Sequence, residues 1–292
     1  MPITMESRVI EEVCVALEGG LAVPYLGPGM LSLVGDGCPV PASTEALADK
    51  LTAKASVPHK IRKNLSAAAQ FIENFKHRKT VKTVMTDAFR SSVQPTELHR
   101  FLAQVPLLPL MVQTWYDDLP QKALASRRSW GMAQGVSQAE HFGDWVYYYE
   151  PDGTIIPVEA SGWDTLLYQP LGSVSPAENF LVSDSDYVEV LTEIDIQTPI
   201  PQAVQELRAG RNFLFLGCRF ATQLDRLFAR QIMKRSSAKH WAVLPDELSK
   251  NEARFLAEQN IERIAMPLSE FAMLLEPTAR AAASRFESFA NW

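Results

Sequence analysis

Three stretches of the sequence end in the same way, with an apolar run, a glycine and then a small or polar residue. They are Leu26-Gly27, Leu171-Gly172-Ser173 and Leu216-Gly217-Cys218. If these runs are parallel strands, their carboxyl ends form the edge of the sheet where ligands bind. Glycines there let the backbone approach a phosphate without an obstructing Cβ. The pattern favours a nucleotide pocket. Because the full Gly-x-Gly-x-x-Gly spacing is absent, glycines that only turn the chain remain an alternative.

A fourth apolar run ends in Thr114-Trp115-Tyr116-Asp117-Asp118, which brings a hydroxyl, aromatic faces and two carboxylates to the same edge. The two carboxylates could serve as a general base or as metal ligands. Adjacent residues on a turn usually point apart, which favours one helix cap and one solvent-exposed carboxylate instead. The sequence leaves both readings open.

Few other side chains carry chemistry. None of the five histidines has a second histidine at ligand spacing, and Cys14, Cys38 and Cys218 form no Cys-x-x-Cys pair. We therefore predict no metal site and no disulfide framework. His141, which lies near Asp144 in an irregular segment, is the histidine that could act as a base.

The elements that must position these residues follow from the apolar periodicity. Strands alternate with helices at both ends of the chain, which predicts an α/β fold, Rossmann-like and doubly wound, with a mainly parallel sheet. We expect one domain over residues 1–292, with a helical insertion at about 44–105 and an irregular or hairpin insertion at about 119–164. The core strands are predicted near residues 21–26, 107–114, 165–171, 179–183, 212–217, 240–245 and 261–266.

The bulk properties exclude several classes of partner. The 292 residues are 47% hydrophobic and carry a formal net charge of −6, and no Lys/Arg-rich block occurs. We therefore expect neither nucleic acid nor a membrane as a partner. No apolar run reaches the roughly 18 residues of a membrane span, and the N-terminus does not resemble a secretory signal, so we predict a cytoplasmic protein. Aromatic residues in the last helix, 278–292, suggest a homo-oligomer or a complex with a protein partner.

Six segments, in this order, resemble the sirtuin-like family of bacterial proteins, which shares the sirtuin nucleotide fold without its zinc module. They are "YLGPGMLS" (25–32), "PTELHRFLAQVP" (95–106), "VQTWYDDLPQKAL" (112–124), "YQPLGSV" (168–174), "LVSDSDYVEVL" (181–191) and "LRAGRNFLFLGCRF" (207–220). Relatives in this family include deacylases and antiviral NAD-cleaving enzymes. The resemblance implies a Rossmann-like sheet that binds NAD or an ADP-ribose derivative.

The same resemblance implies a set of nucleotide-binding positions. Gly27, Gly29 and Ser32 would lie at the phosphates and the neighbouring ribose. Thr114 and Asp117 would line the nicotinamide side, and Gly217 and Cys218 would lie near the adenosine ribose. The implied set is completed by Met30, Trp115, Gly172 and Ser173.

The sequence departs from the family at the two positions that cleave NAD. The family's asparagine position is Trp115 and its histidine position is Leu171. Neither side chain can accept a proton, and general acid–base catalysis contributes about 10²–10⁴ in rate. We therefore predict a protein that binds NAD, ADP-ribose or a partner in a regulatory or accessory role. The alternatives are an NAD hydrolase with a rearranged base, Asp117 or His141, and a structural module whose pocket is plugged by Trp115.

Overall fold

The computed structural model describes residues 5–157, 162–193, 199–275 and 278. The helices are α1 (Met5–Glu18), α2 (Thr44–Lys54), α3 (Leu65–Lys76), α4 (Arg78–Phe89), α5 (Glu97–Gln104), α6 (Leu119–Leu124), α7 (Asp184–Glu193), α8 (Gln202–Arg208), α9 (Gln223–Ile232) and α10 (Lys250–Glu258). The strands are β1 (Ala22–Leu26), β2 (Leu110–Gln113), β3 (Trp130–Gly135), β4 (Val146–Tyr149), β5 (Ile155–Ile156), β6 (Thr165–Gln169), β7 (Gly172–Ser173), β8 (Asn179–Phe180), β9 (Asn212–Leu216), β10 (His240–Val243) and β11 (Ile261–Ile264).

Nine strands form one twisted layer in the order β11-β10-β9-β1-β2-β6-β3-β4-β5. Neighbours pair in parallel from β11 to β3, and only β4 and β5 are antiparallel. The chain leaves β1 toward β2 and later returns to place β9 on the other side of β1. This reversal opens a crevice at the carboxyl ends of β1 and β9, where ligands bind in such sheets. The predicted α/β, Rossmann-like fold is confirmed.

Both faces of the sheet are covered, so its strands are apolar on both sides. Along β1, Val23 and Tyr25 pack into a core with the helical layer α2–α4, whereas Ala22 and Leu26 pack on the opposite face against α1 and α5. Several of these helices have an N-cap side chain. Before α2, the Oγ of Ser43 accepts a hydrogen bond from the Ala46 N–H at 3.1 Å. No helix in the described part of the chain is long and apolar enough to cross a membrane.

Two strand predictions were wrong. Residues 130–135 were expected to be irregular, but they form β3, which pairs with β6 and β4 inside the sheet. Their sequence, WGMAQG, does not show the residue pattern of a β-strand. Position 131 needs a glycine because its backbone lies against the ring of Trp163, and an added Cβ would stand 2.1 Å from the indole. Conversely, the predicted core strand at 179–183 is only the two-residue β8, paired with β7 outside the main sheet.

The C-terminal end of the chain bears on the predicted self-association. Residues 268–275 are helical, and they pack through Phe271 and Leu275 onto the same core as α1. The aromatic residues on which the predicted interface rested lie within 279–292, outside the described residues.

Candidate functional site

A cavity of about 590 Å³ opens at the carboxyl ends of β1, β2 and β9. It therefore lies at the crevice that the sheet topology creates. The positions from the sequence analysis that line it are Gly27, Gly29, Thr114, Trp115, Leu171, Gly217 and Cys218. Residues more than 190 positions apart meet there because β1 pairs directly with β9.

The two glycine turns pack against each other more closely than any side chain would allow. A Cβ on Gly27 would stand 2.6 Å from the Gly217 carbonyl oxygen, and one on Gly217 would stand 2.3 Å from the Met30 nitrogen. The Gly27 N–H donates to the Leu216 carbonyl at 2.9 Å, and the Gly29 N–H donates to the Gly217 carbonyl at 2.8 Å. Pro28 has no N–H. The glycines thus close the joint between β1 and β9, and these N–H groups are already used within the fold.

We expect Gly217→Ala to lower the free energy of unfolding by about 2–4 kcal/mol, because it adds a clash with backbone to the cost of a positive φ. The matched control is Gly210→Ala. Gly210 has φ +71, close to the +63 of Gly217, but nothing lies within 4 Å of its added Cβ. The control should lose only about 1–2 kcal/mol. Urea denaturation measures both values, and equal losses would contradict the close packing of the two turns.

Three helices begin at this cavity, a convergence that the sequence did not reveal. Its lining includes Ser43 before α2, Asn64 before α3 and Thr222 before α9. Each cap satisfies one N–H of its first turn: Ala46, Ala67 and Asp225, each at 3.1 Å. A helix start leaves up to four N–H groups without an intrahelical partner, together with a positive partial charge. The cavity therefore suits an anionic group.

Charged side chains at the cavity are mostly committed to neighbours. Arg219 pairs with Asp246 at 2.8 Å and with Glu252 at 3.1 Å. The Asp225 carboxylate accepts hydrogen bonds from the Thr222 N–H and hydroxyl. Lys63 is exposed and forms no ion pair within the described part of the chain. Lys63 is thus the cation that can turn to a ligand most readily.

Trp115 is a wall of the cavity and does not fill it. Its side chain is 2% exposed, and its Nε1–H donates to the Pro41 carbonyl at 2.8 Å. The ring packs edge-on against Phe89, with centroids 5.8 Å apart. Leu171, also buried, lines the cavity with it. The two positions that the resemblance assigns to catalysis thus present an indole and an isobutyl group.

The two candidate bases both lie away from the cavity. Asp117 is buried, and its Oδ1 accepts a hydrogen bond from the Leu119 N–H at 3.0 Å, which begins α6. Burial raises the pKa of Asp117 to about 6, while the Leu119 N–H acts in the opposite direction. His141 lies in the connection between β3 and β4, with its Nδ1 3.2 Å from the Tyr147 hydroxyl. Neither residue lines the cavity, because Asp117 turns into α6 and His141 follows β3, which lies three positions from β1 in the sheet.

Four further positions implied by the resemblance also lie outside the cavity lining. Met30 points into the core on the opposite face of the sheet. The exposed Ser32 belongs to a 3₁₀ helix over Pro28–Val34, where its Oγ donates to the Gly29 carbonyl at 2.8 Å. Gly172 and Ser173 pair with β8, and the Ser173 hydroxyl donates to the Tyr116 carbonyl at 3.3 Å. The 3₁₀ helix and the β7–β8 hairpin turn these residues away.

Sequence reasoning missed the aromatic part of the wall. The missed aromatic side chains, which join Trp115 in the wall, are Tyr25, Tyr187, Phe220 and Phe228. In the sequence these residues resemble ordinary core positions of strands and helices, and only Phe220, directly after the third glycine turn, carried a positional signal. Among the described residues, no group of three or more His, Cys, Asp or Glu side chains is placed to hold a metal ion.

Comparisons with known proteins address the family. One solved structure, described as "Structural Basis for the Mechanism and Regulation of Sir2 Enzymes", aligns over 96% of this chain and 98% of its own, with 12% identity and a TM-score of 0.44. No curated protein matches the sequence. The family model "SIR2-like domain" matches residues 109–264, more than half of the chain. The chain therefore belongs to the SIR2-like domain family.

Proposed function

We propose that this protein binds a nucleotide of the NAD or ADP-ribose class and does not cleave it, in a regulatory or accessory role. The observation that carries the proposal is the cavity itself, which lies at the β1–β9 crevice and has Trp115 and Leu171 in its wall. A pocket in that position suits a nucleotide. Trp115 and Leu171, at the positions that the resemblance assigns to cleavage, offer no proton acceptor.

The features of the cavity fit the two parts of such a ligand. The starts of α2, α3 and α9 offer N–H groups and positive partial charge to a diphosphate, in place of the first glycine turn, whose N–H groups are used internally. The aromatic side chains of Tyr187 and Phe228 lie edge to face, with centroids 5.4 Å apart, and offer an apolar surface to a ring. The volume of about 590 Å³ lies within the usual range for small-molecule sites.

The titratable groups in the wall are protonated near neutral pH or already take part in a hydrogen bond within the fold. No histidine lines the cavity within the described part of the chain. Burial raises the pKa values of Tyr25 and Cys218, which keeps both protonated near neutral pH. The carboxylate of Asp225 is held in the cap of α9, and that of Glu45 accepts a hydrogen bond from the Thr44 hydroxyl at 3.2 Å. Proton abstraction needs a group within hydrogen-bond reach of the reacting atom.

Charge reversal at the mouth of the cavity tests the proposal. We expect Lys63→Glu to weaken the binding of NAD and ADP-ribose about fivefold to tenfold, because an attraction to the diphosphate becomes a repulsion. Lys60→Glu is the matched control, since Lys60 is also exposed, lies in the same segment and does not line the cavity. Isothermal titration calorimetry gives the affinities, and the control should stay within about twofold of the wild type.

The same samples decide between binding and turnover. We expect no nicotinamide release above background from the wild-type protein at saturating NAD. Sustained release that Lys63→Glu weakens and Lys60→Glu leaves unchanged would overturn the non-catalytic part of the proposal. Absence of binding by both NAD and ADP-ribose would overturn the nucleotide part. Mass spectrometry of the denatured protein then identifies any nucleotide that co-purifies.

A further inference from the structure

A second cavity, of about 780 Å³, lies between β4 and α8. Its lining includes Trp145, Val146, Tyr148, Pro201, Arg208 and Arg235. No residue lines both this cavity and the one at the β1–β9 crevice. The second cavity is therefore a separate surface, and nothing in the proposed nucleotide site accounts for its composition.

Arg208 is a buried cation that has no ion pair among the residues that the structure describes. Its side chain is 4% exposed, and its Nη1 donates to the carbonyls of Gln231 and Ile232 at 2.8 and 2.7 Å, at the end of α9. Its Nε has no hydrogen-bond partner, and no carboxylate in the described part of the chain forms an ion pair with it. Burying a charge without a counter-charge is costly. The carbonyl contacts offset only part of that cost.

A second guanidinium group faces the same cavity. Arg235 is exposed, forms no ion pair among the described residues, and has φ +62, which is uncommon for a residue other than glycine or asparagine. Burial lowers the pKa of Arg208 and the charge of Arg235 lowers it further, whereas Tyr168 acts in the opposite direction. Glu206 also lines the cavity, but its Oε1 accepts a hydrogen bond from Gln202 at 2.7 Å. Among the described residues, two positive groups thus share this cavity with one carboxylate, which already accepts a hydrogen bond.

Aromatic side chains form the opposite wall. Trp145 and Tyr148 are both half-buried at the cavity, on or beside β4. Such rings stack on planar heterocycles, and arginine pairs with phosphate oxygens through its fork of N–H donors. An indole, a phenol and two guanidinium groups around one cavity therefore complement a ligand that carries both a planar ring and an anionic group.

We propose that this second cavity binds a nucleoside monophosphate, with the base against Trp145 and Tyr148 and the phosphate between Arg208 and Arg235. The phosphate supplies the negative charge that the buried Arg208 lacks. The base packs against the aromatic surface that lines the cavity. Binding here is independent of the crevice site.

The test uses the full chain and AMP, titrated by calorimetry. AMP should bind about tenfold or more tightly than either adenosine or inorganic phosphate, since each of these lacks one half of the complementary chemistry. Arg235→Asn should weaken AMP binding about tenfold. Asparagine tolerates a positive φ, so this variant keeps the backbone. Arg128→Asn is the control, because Arg128 is also exposed, lies outside the helices and does not line the cavity.

To locate AMP, each variant is also titrated with the ligand of the other site. Lys63→Glu should leave AMP affinity within about twofold of the wild type, and Arg235→Asn should leave NAD affinity equally unchanged. AMP binding that falls in Lys63→Glu and not in Arg235→Asn would place AMP in the crevice and overturn the inference. Equal affinities for AMP and phosphate would overturn it as well, as would the absence of AMP binding. Failure of NAD binding alone leaves the AMP result intact, so the two proposals fail separately.

Discussion

Replacing Trp115 with asparagine, the residue that the resemblance to the sirtuin-like family implies at this position, is expected to lower the free energy of unfolding by about 3–5 kcal/mol. The indole is 2% exposed and packs against Phe89 and Tyr116, so its loss leaves a void next to a buried amide. It also removes the hydrogen bond to Pro41, which ties the end of β2 to the segment before α2. Urea denaturation followed by fluorescence measures the change.

Trp115→Phe separates the hydrogen bond from the packing. It keeps an aromatic ring and removes the N–H donor, so it should cost about 1–3 kcal/mol, the penalty for leaving the Pro41 carbonyl without its partner. Nicotinamide release should stay at background in Trp115→Asn, because Leu171 still supplies no base. Wild-type stability in Trp115→Asn would contradict the role of the indole as a wall of the cavity. Turnover in that variant would contradict the part assigned to Leu171.

Removing the charge of Arg78 is expected to have a comparable effect. Arg78 pairs with Glu73, with Asp186 at 2.7 Å and with Glu140 at 3.4 Å, and it donates to the Phe180 carbonyl. Asp186 is only 2% exposed, so Arg78→Met would leave its charge buried without a cation. Breaking a buried ion pair in this way costs about 3–5 kcal/mol. The free energy of unfolding from urea denaturation checks the value.

The network also holds one side of the crevice together. Arg78 begins α4 and joins α3, through Glu73, to α7, through Asp186; α3 begins at the cavity and α7 contributes Tyr187 to its wall. NAD affinity should therefore fall in Arg78→Met. Arg90→Met is the matched control, since Arg90 pairs with Asp87 on the surface and should lose less than about 1 kcal/mol. Similar losses in both variants would show that the buried network adds no stability.

The local sequence predicted most elements of this fold. Apolar periodicity is a property of neighbouring positions, and it predicted the strands that end near Leu26 and Leu216 and the helical insertion at about 44–105. The strand β3 was not predicted, because its glycines are needed for close contacts with residues distant in the sequence, such as Trp163. A packing requirement of that kind leaves no periodic pattern in the sequence.

The residues of the candidate site likewise fall into those that the local sequence could place and those that it could not. Gly27, Thr114 and Gly217 directly follow parallel strands, so strand pairing alone brings them to one edge. Asp117 and Ser173 lie a few residues further on, where α6 and the β7–β8 hairpin carry them away from the cavity. The direction of the chain after a strand depends on what it packs against, and this is not a local property.

The sequence by itself determined the α/β class and the strands whose ends meet at the crevice, and its resemblance to the sirtuin-like family implied that Trp115 and Leu171 stand at two catalytic positions. Only the tertiary structure decided which other residues surround these positions. In it the glycine turns join β1 to β9, three helices begin at the cavity, and Arg208, Arg235 and Trp145 line one second cavity. These arrangements depend on contacts between residues far apart in the chain, whose free energies are set by shape and burial, whereas the strand and helix signals arise from residues within a few positions of one another.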